Sequence, residues 1–186
     1  GELAEKIAYK QLDVDKLKPK LFNPIKPMLA ASADNIEDAM QQAGGKVAVE
    51  VKYDGIRVQI HHADGRVRIF SRRLTDITDN LPEIVDLITN IIGRHEVILE
   101  GEVIAIDQNN NPLPFQELMK RFRRIKDFEI MIKKIPVRLF LFDLLYLDGE
   151  LLIDQPYYKR YEKLCEIIPE NLLAKRIITD NIQEAK

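Results

Sequence analysis

One short segment of the sequence, residues 50–57, concentrates residue types that could do chemistry. It reads Glu-Val-Lys-Tyr-Asp-Gly-Ile-Arg, so that Glu50, Lys52 and Asp54 recur at every second position. In a strand, side chains at this spacing share one face, and the lysine is then flanked by two carboxylates. Such a face is costly to bury unless its charges are paired or used. Two interpretations stand on the spacing alone: a surface salt-bridge ladder, or a functional lysine.

Three further clusters of charged and aromatic residues follow in the chain. They are Phe70-Ser71-Arg72-Arg73, Leu99-Glu100-Gly101-Glu102-Val103, and the run from Leu141 to Glu150, which reads LFDLLYLDGE. The pattern E-x-K-x-D-G-x-R resembles the signature of the covalent nucleotidyltransferases, which comprise ATP-dependent DNA ligases, RNA ligases and mRNA capping enzymes. The three later clusters resemble the further motifs of that family, in the family's order, with Glu100 in place of the more usual aspartate.

Two other segments narrow the resemblance to DNA ligases of the archaeal and eukaryotic replicative type. They are Pro27-Met28-Leu29-Ala30 and the run Leu113–Leu118, LPFQEL. The resemblance covers roughly residues 22–168. It implies a reaction with ATP and Mg²⁺ in which a lysine acquires a covalently bound AMP, and a DNA substrate that is a nicked duplex.

The resemblance also assigns roles by position. Lys52 would be the nucleophile, and its pKa, ordinarily near 10.4, would have to be lowered by nearby positive charge, metal and partial burial. Arg57 would lie near the ribose and Arg72 near the phosphate. Glu102 would accept a hydrogen bond from a ribose hydroxyl and lie close to the metal. The nucleotide-binding set is completed by Phe142, stacked on the purine, and Glu50, beside the base.

Each role has a plainer alternative. Phe142 lies in an apolar run, where a core phenylalanine is the common outcome, and Asp143 beside it would only brace the strand. For DNA contacts the sequence offers Arg72, Arg73, Arg121 and Arg124. The last two belong to a basic stretch between Lys120 and Lys134, which could equally be a solvated helix face.

Composition limits the classes of function. Hydrophobic residues make up 46% and charged residues 31%, as in globular proteins, and 28 basic residues against 30 acidic ones exclude a general basic excess. No apolar run approaches the roughly 18 residues of a membrane span. Cys165 is the single cysteine, which excludes a disulfide framework. We expect an intracellular protein, cytoplasmic if archaeal or nuclear if eukaryotic.

Hydrophobic periodicity predicts an α+β fold of mixed, largely antiparallel sheets flanked by helices, like the ATP-grasp-like nucleotidyltransferase domain of DNA ligases. The predicted helices begin near Ile36, Pro82, Phe115 and Tyr157, the first with Asp34 as its cap. The predicted strands are Val47 to Asp54, a hairpin around Asp64-Gly65, Val97 to Asp107, and Val137 to Leu147.

For domain organisation we expect residues 1–20 to be a linker or the end of an upstream DNA-binding domain. Residues 21–186 would be the N-terminal part of an adenylation domain, because the family's later E-G-x-V and K-x-K motifs and its OB-fold domain have no counterpart here. Such a truncated domain is expected to be monomeric and inactive alone. A sliding clamp is a candidate partner of the full-length protein. The open alternatives are an RNA ligase or capping enzyme, and a non-catalytic nucleic-acid-binding module.

Overall fold

The computed structural model describes residues 19–122 and 128–186. Two sheets and their flanking helices make up this part of the chain. In chain order the elements are α1 (Ile36–Gln42), β1 (Val47–Glu50), β2 (Ile56–Ala63), β3 (Arg66–Ser71), α2 (Pro82–Ile92), β4 (Val97–Ala105), α3 (Phe115–Phe122), α4 (Phe128–Lys134), β5 (Val137–Leu147), β6 (Glu150–Leu151), α5 (Tyr157–Ile167), β7 (Arg176–Thr179) and α6 (Ile182–Ala185). The predicted α+β class with antiparallel sheets is confirmed.

The larger sheet has five strands in the order β3-β2-β4-β5-β6, and every neighbouring pair is antiparallel. Its strands alternate, so that one face is apolar. Val58 and Ile60 of β2 lie on that face beside Leu99 and Val103 of β4, and all four are fully buried. Helices α2 and α5 cover this face and complete the main hydrophobic core. The opposite face of the same strands is polar, which leaves it free to carry a site.

The smaller sheet pairs β1 with β7 in antiparallel register. The prediction that one strand runs from Val47 to Asp54 is wrong, because β1 ends at Glu50. The Val51 amide donates to the Lys175 carbonyl, but the Val51 side chain is 50% exposed. Lys52 and Asp54 therefore lie in the connection to β2, and the expected three-residue charged strand face does not exist.

The predicted turns have the expected chemistry. Asp64 and Gly65 both have positive φ, 49° and 72°, as a two-residue hairpin between β2 and β3 requires. Asp148 and Gly149 repeat this conformation between β5 and β6. Helix α1 is capped by Asn35, whose side chain accepts from the Asp38 amide, so the predicted cap at Asp34 is displaced by one residue.

The prediction that Arg121 contacts DNA is wrong. Its side chain has no exposed surface, pairs with Glu83, and donates to the main-chain carbonyls of Asn80 and Ile135 at 3.1 and 3.2 Å. A guanidinium held in this way ties α3 to the first turn of α2. Arg124, the other predicted contact in this stretch, lies outside the described residues.

Residues 20–27, which we call the N-terminal strap, cross the polar side of the larger sheet. The Phe22 amide donates to Nδ1 of His61 at 2.9 Å, and the main chain of Ile25 bonds to the Gln59 amide group. Pro24 and Pro27 flank this part of the strap, and the Gln59 side chain holds the main chain between them at Ile25. Within the described ranges, no helix is long and apolar enough to cross a membrane.

His61 gives the fold a defined sensitivity to acid. Burial lowers the pKa of His61 from its ordinary 6.5 to about 4. A proton on Nδ1 would in addition face the Phe22 amide hydrogen. Between pH 6.5 and about 4 this histidine is protonated in the unfolded chain but neutral in the folded chain. The free energy of unfolding therefore falls as the pH drops through this window, and it levels off below about pH 4.

We expect this group to remove roughly 3 kcal/mol of unfolding free energy across that window. The measurement is chemical denaturation at pH 7, 5.5 and 4 for the wild type and for His61→Asn, whose side-chain oxygen can still accept from the Phe22 amide. The variant should lose less stability over the window. Equal pH slopes in the two proteins would contradict the assignment.

Candidate functional site

Lys52 lies in a tight connection that is packed directly against the larger sheet. Gly55 makes this packing possible, since a Cβ at this position would lie 2.1 Å from the Val103 carbonyl oxygen of β4. Asp54 accepts a long hydrogen bond of 3.4 Å from the amide of Phe115, the first residue of α3. The lysine side chain itself is exposed. The D-G pair thus anchors the connection on both sides and leaves Lys52 available.

Glu102 is a predicted site carboxylate that interacts electrostatically with Lys52. It is half-buried on β4, and burial raises its pKa above the usual range for a glutamate. A hydrogen bond from the Gly55 backbone and the positive charges of Lys52 and Arg57 act in the opposite direction, and Asp54 adds to the rise. The structure therefore brings the predicted nucleophile and the predicted ribose- and metal-binding carboxylate into one electrostatic unit.

The polar face of β2 and β4 organises the next group. In the register of these strands Arg57 lies opposite Glu102, and Gln59 lies opposite Glu100. The Arg57 Nε atom donates to Glu100 Oε2 at 2.9 Å, and a second guanidinium nitrogen contacts the same oxygen. Glu100 is only 4% exposed. This residue, the substituted first acid of its motif, therefore holds Arg57 in place.

A β-bulge sets the position of Phe142. In the pairing of β4 with β5, Glu100 lies opposite Asp143 and Gly101 lies opposite Leu141, which leaves Phe142 without a partner. A bulge redirects side chains and increases local twist. The Phe142 ring is half-buried, packs against a small apolar cluster that includes Phe140, and lies 5.4 Å from the Arg57 guanidinium carbon. The ring is therefore neither a fully buried core residue nor a free surface residue.

Tyr157 is a functional candidate that the sequence-based prediction missed. Its hydroxyl contacts a Glu50 carboxylate oxygen and lies 2.9 Å from the Phe142 carbonyl oxygen. Burial, together with the negative charge of Glu50, raises the pKa of Tyr157, so the hydroxyl keeps its proton and donates. One hydroxyl thus contacts both residues that are predicted to bind the base. In the sequence, Tyr157 was recognisable only as a member of an amphipathic helix.

Two further interactions brace this corner. Asp143 makes two hydrogen bonds of 2.8 Å to Arg160 of α5, so its predicted bracing role agrees with the structure. Arg176 of β7 lies 3.7 Å from Glu50 and stacks over the Tyr161 ring at 3.2 Å. Glu50 is consequently held by a donor on α5 and by a cation on β7.

The two arginines that follow β3 are exposed. β3 ends at Ser71, and Arg72 and Arg73 occupy the turn after it. Arg72 lines a small cleft together with Arg57, Glu100 and Ile25. The two arginines predicted to contact the nucleotide therefore meet in one place, while Arg73 remains a predicted DNA contact.

A wide cleft of about 800 Å³ lies elsewhere, between β5 and the smaller sheet. Among the predicted residues it is lined by Glu50 and not by Lys52, Arg57, Glu102 or Phe142. We place the site at the charged residues rather than in this cleft, because the chemistry needs the lysine and its neighbouring charges.

The Glu102 carboxylate fits a Mg²⁺ ion that is also bound by the phosphates of a substrate. Within residues 19–122 and 128–186 no group of three or more His, Cys, Asp or Glu side chains could enclose a metal ion. Mg²⁺ commonly binds through one or two carboxylates, with substrate phosphates and water as its other ligands. Glu102, half-buried beside the lysine, suits that arrangement.

Comparisons with known proteins identify relatives of this chain. The sequence model of a family described as ATP dependent DNA ligase domain matches residues 27–186. A DNA ligase from Methanocaldococcus jannaschii is 48% identical over 169 residues, which are 90% of this chain and 29% of that protein. A DNA ligase from Thermococcus onnurineus is 44% identical over 174 residues, 92% of this chain and 31% of that protein. The chain thus spans about 30% of the length of these curated relatives.

Solved structures with a similar fold are also ligases. A mycobacterial DNA ligase D in complex with ATP matches with a TM-score of 0.57 and 25% identity, over 75% of this chain and 42% of the other. The ligase domain of LigD from M. tuberculosis matches with a TM-score of 0.51 and 29% identity, over 64% of this chain and 36% of the other.

The Tyr157 hydroxyl supports a first prediction at the site. Tyr157→Phe removes the donor shared by Glu50 and the Phe142 carbonyl, and we expect a stability loss of about 1–2 kcal/mol together with several-fold weaker nucleotide binding. Isothermal calorimetry with ATP and thermal melting provide the two readouts. Tyr158→Phe is the matched control, because this neighbouring ring is 56% exposed. Unchanged affinity in Tyr157→Phe would remove the proposed link to the base.

The position of Phe142 supports a second prediction. If the ring stacks on a base, Phe142→Ala should weaken nucleotide binding by roughly 1–3 kcal/mol. Phe140→Ala is the contrasting variant: its ring is 7% exposed and stacks on Tyr53 at 3.9 Å, so its loss should mainly lower the melting temperature. A large drop in melting temperature with unchanged affinity in Phe142→Ala would show that Phe142 is a core residue.

Proposed function

Because the chain belongs to the ATP-dependent DNA ligase domain family, we propose that it carries the site at which a nick-sealing DNA ligase attaches AMP to Lys52. The observation that carries this proposal is the position of Lys52. The residue is exposed in a connection that Gly55 packs against β4, within the electrostatic reach of Glu102. The arrangement combines an accessible amine with a neighbouring carboxylate and the Arg57 cation on the paired strands β2 and β4.

The proposed first step is nucleophilic. The neutral Lys52 amine attacks the α-phosphorus of ATP, a nitrogen–phosphorus bond forms, and the bond to the bridging oxygen breaks to release pyrophosphate. The proton that the attacking nitrogen loses would pass to the solvent. Arg57 and Arg72 would bind ribose and phosphate oxygens through charge-assisted hydrogen bonds. Glu102 would accept from a ribose hydroxyl, and Phe142 and Glu50 would hold the base. A bound Mg²⁺ supplies further charge neutralisation at the phosphates.

The later steps define the substrate. AMP would pass from Lys52 to a 5′-phosphate at a nick in duplex DNA, and the adjacent 3′-hydroxyl would then attack this phosphate and release AMP. The exposed turn with Arg72 and Arg73 would contact the DNA backbone, where arginine contributes affinity without reading sequence. A monomeric state, a sliding-clamp partner in the full-length protein and an intracellular location belong to the same proposal.

Two alternatives are less well supported. An RNA ligase or capping enzyme would share the lysine chemistry, but both curated relatives described above are DNA ligases. A non-catalytic nucleic-acid-binding module would rely on the basic stretch around α3, and the burial of Arg121 removes one of its cations. Labelling with α-labelled GTP beside ATP separates a capping enzyme from a ligase.

The decisive experiment follows covalent labelling of Lys52. The complete gene product that carries these residues is incubated with α-labelled ATP and Mg²⁺ and then resolved on a denaturing gel. Lys52→Ala should abolish the labelled band. Lys52→Arg should abolish it as well, because a guanidinium does not become neutral and cannot attack.

Lys46→Ala is the matched control, since Lys46 is an exposed lysine that immediately precedes β1. It should label like the wild type. Label retained on either Lys52 variant would disprove the nucleophile. Labelling without nick sealing would leave the lysine chemistry standing but refute the DNA ligase reaction.

A further inference from the structure

The amide of Gln59 forms the centre of a buried polar network. Its oxygen accepts from the Ile25 amide at 2.9 Å and from the Nε2 atom of His61 at 3.0 Å. Its nitrogen donates to the Ile25 carbonyl at 3.1 Å and to Glu100 Oε1 at 2.9 Å. Both lone pairs and both hydrogens are therefore used. If the amide were flipped, its hydrogens would point at the two donors and its oxygen at the two acceptors, so the orientation of the group is determined.

The network has two ends. At one end Gln59 bonds both main-chain groups of Ile25 and so acts as a strand partner for the N-terminal strap. At the other end the remaining Gln59 hydrogen contacts one oxygen of Glu100, whose second oxygen holds Arg57. Three consecutive hydrogen-bonded links thus connect the strap to the arginine that lies 5.4 Å from the Phe142 ring.

The strap is held firmly at a second point. Phe22 has a φ of 64°, a left-handed conformation that is unfavourable for a bulky residue and persists only where its surroundings enforce it. The Phe22 amide donates to Nδ1 of His61, and the Arg66 guanidinium stacks 3.9 Å from the Phe22 ring. Since Nδ1 accepts, the His61 ring proton is on Nε2, which is the donor that Gln59 requires. The two attachments are therefore coupled.

We propose that Gln59 is a positioning residue, which couples docking of the N-terminal strap to the orientation of Arg57 at the nucleotide site. This inference rests on the proposed function, because it assigns Arg57 to nucleotide binding. With the strap docked, the Gln59 hydrogen is directed at Glu100, and the carboxylate presents its second oxygen to Arg57. Without the strap, two of the four Gln59 partners are lost and the amide is free to rotate.

A purely structural role would need none of this polarity. Gln59 is 5% exposed, and burying an amide costs free energy that an apolar side chain of the same size would avoid. A polar relay is useful when one group has to be oriented by another, because each hydrogen bond transmits a direction. Linkage then requires reciprocity: whatever the strap contributes to nucleotide affinity, the nucleotide returns as strap stability.

The first test changes the strap without touching Glu100 or Arg57. Ile25→Pro deletes the amide hydrogen that Gln59 accepts, and Ile25→Ala shortens the same side chain but keeps that hydrogen. Lysyl-AMP formation by the complete gene product is measured over a range of ATP concentrations. We expect Ile25→Pro to raise the KM for ATP roughly tenfold, which is the size expected if Arg57 loses one charge-assisted contact with the nucleotide. The maximal rate should change less than about threefold, and Ile25→Ala, which keeps the amide hydrogen, should raise the KM less than Ile25→Pro does.

The second test uses hydrogen exchange. In the wild type, saturating ATP should slow exchange of the Phe22 and Ile25 amides, and in Gln59→Met it should not. The Gln59→Met protein should also show the raised KM. If this variant does not fold, the Ile25 pair still decides the question.

The outcomes separate the two levels of the argument. A wild-type protein that forms no lysyl-AMP refutes the proposed function. Normal lysyl-AMP formation with the same KM in Ile25→Pro and Ile25→Ala refutes the coupling alone. A KM raised equally in both variants would assign the effect to the Ile25 side chain in the small cleft, and this outcome also overturns the proposal.

Discussion

The ion pair between Arg57 and Glu100 is the interaction on which the candidate site depends. Glu100 is almost out of contact with water, and a buried carboxylate is tolerated only when its oxygens are paired. Arg57 satisfies one oxygen and Gln59 the other. Gln59 is in turn held by its hydrogen bonds to the main chain of Ile25, so the N-terminal strap supports the ion pair from behind. An arginine held on one side by its partner can present its remaining surface to a ligand without first being ordered.

Much of the fold could be predicted from periodicity. The α2 helix begins at Pro82 as predicted, and strands form around Val58, Leu99 and Leu141 where the apolar pattern predicted them, because one face of the sheet has to be buried. The failures have local causes. β1 stops at Glu50, because the chain leaves the small sheet before the lysine, and a strand-like alternation cannot reveal where pairing ends.

The candidate site was predictable as a set of residues but not as a geometry. Motif order identifies Lys52, Arg57 and Glu102. The bulge at Phe142 is a property of the pairing of two strands 40 residues apart, and no local pattern marks it. Arg121 shows the opposite error, since a basic stretch suggested a surface cation whereas its carboxylate partner lies 38 residues away in the sequence. Such partners are known only once the chain has folded.

The glycine of the lysine motif is required because the main chain at Gly55 lies directly against the main chain of β4. Gly55 packs against the Val103 carbonyl, and Gly101 on the same strand of the sheet packs against the Phe140 carbonyl, where a Cβ would lie 2.6 Å away. These two glycines let the lysine connection, β4 and β5 approach closely, and between them stand Glu102 and the bulged Phe142. A side chain at Gly55 would push the lysine connection away from β4, and a side chain at Gly101 would push β4 away from the Phe140 carbonyl of β5. Either change would move Lys52, Glu102 and Phe142 relative to one another. The glycines of the two motifs are therefore constraints on the position of Lys52 relative to its carboxylate, as much as the charged residues are constraints on reactivity.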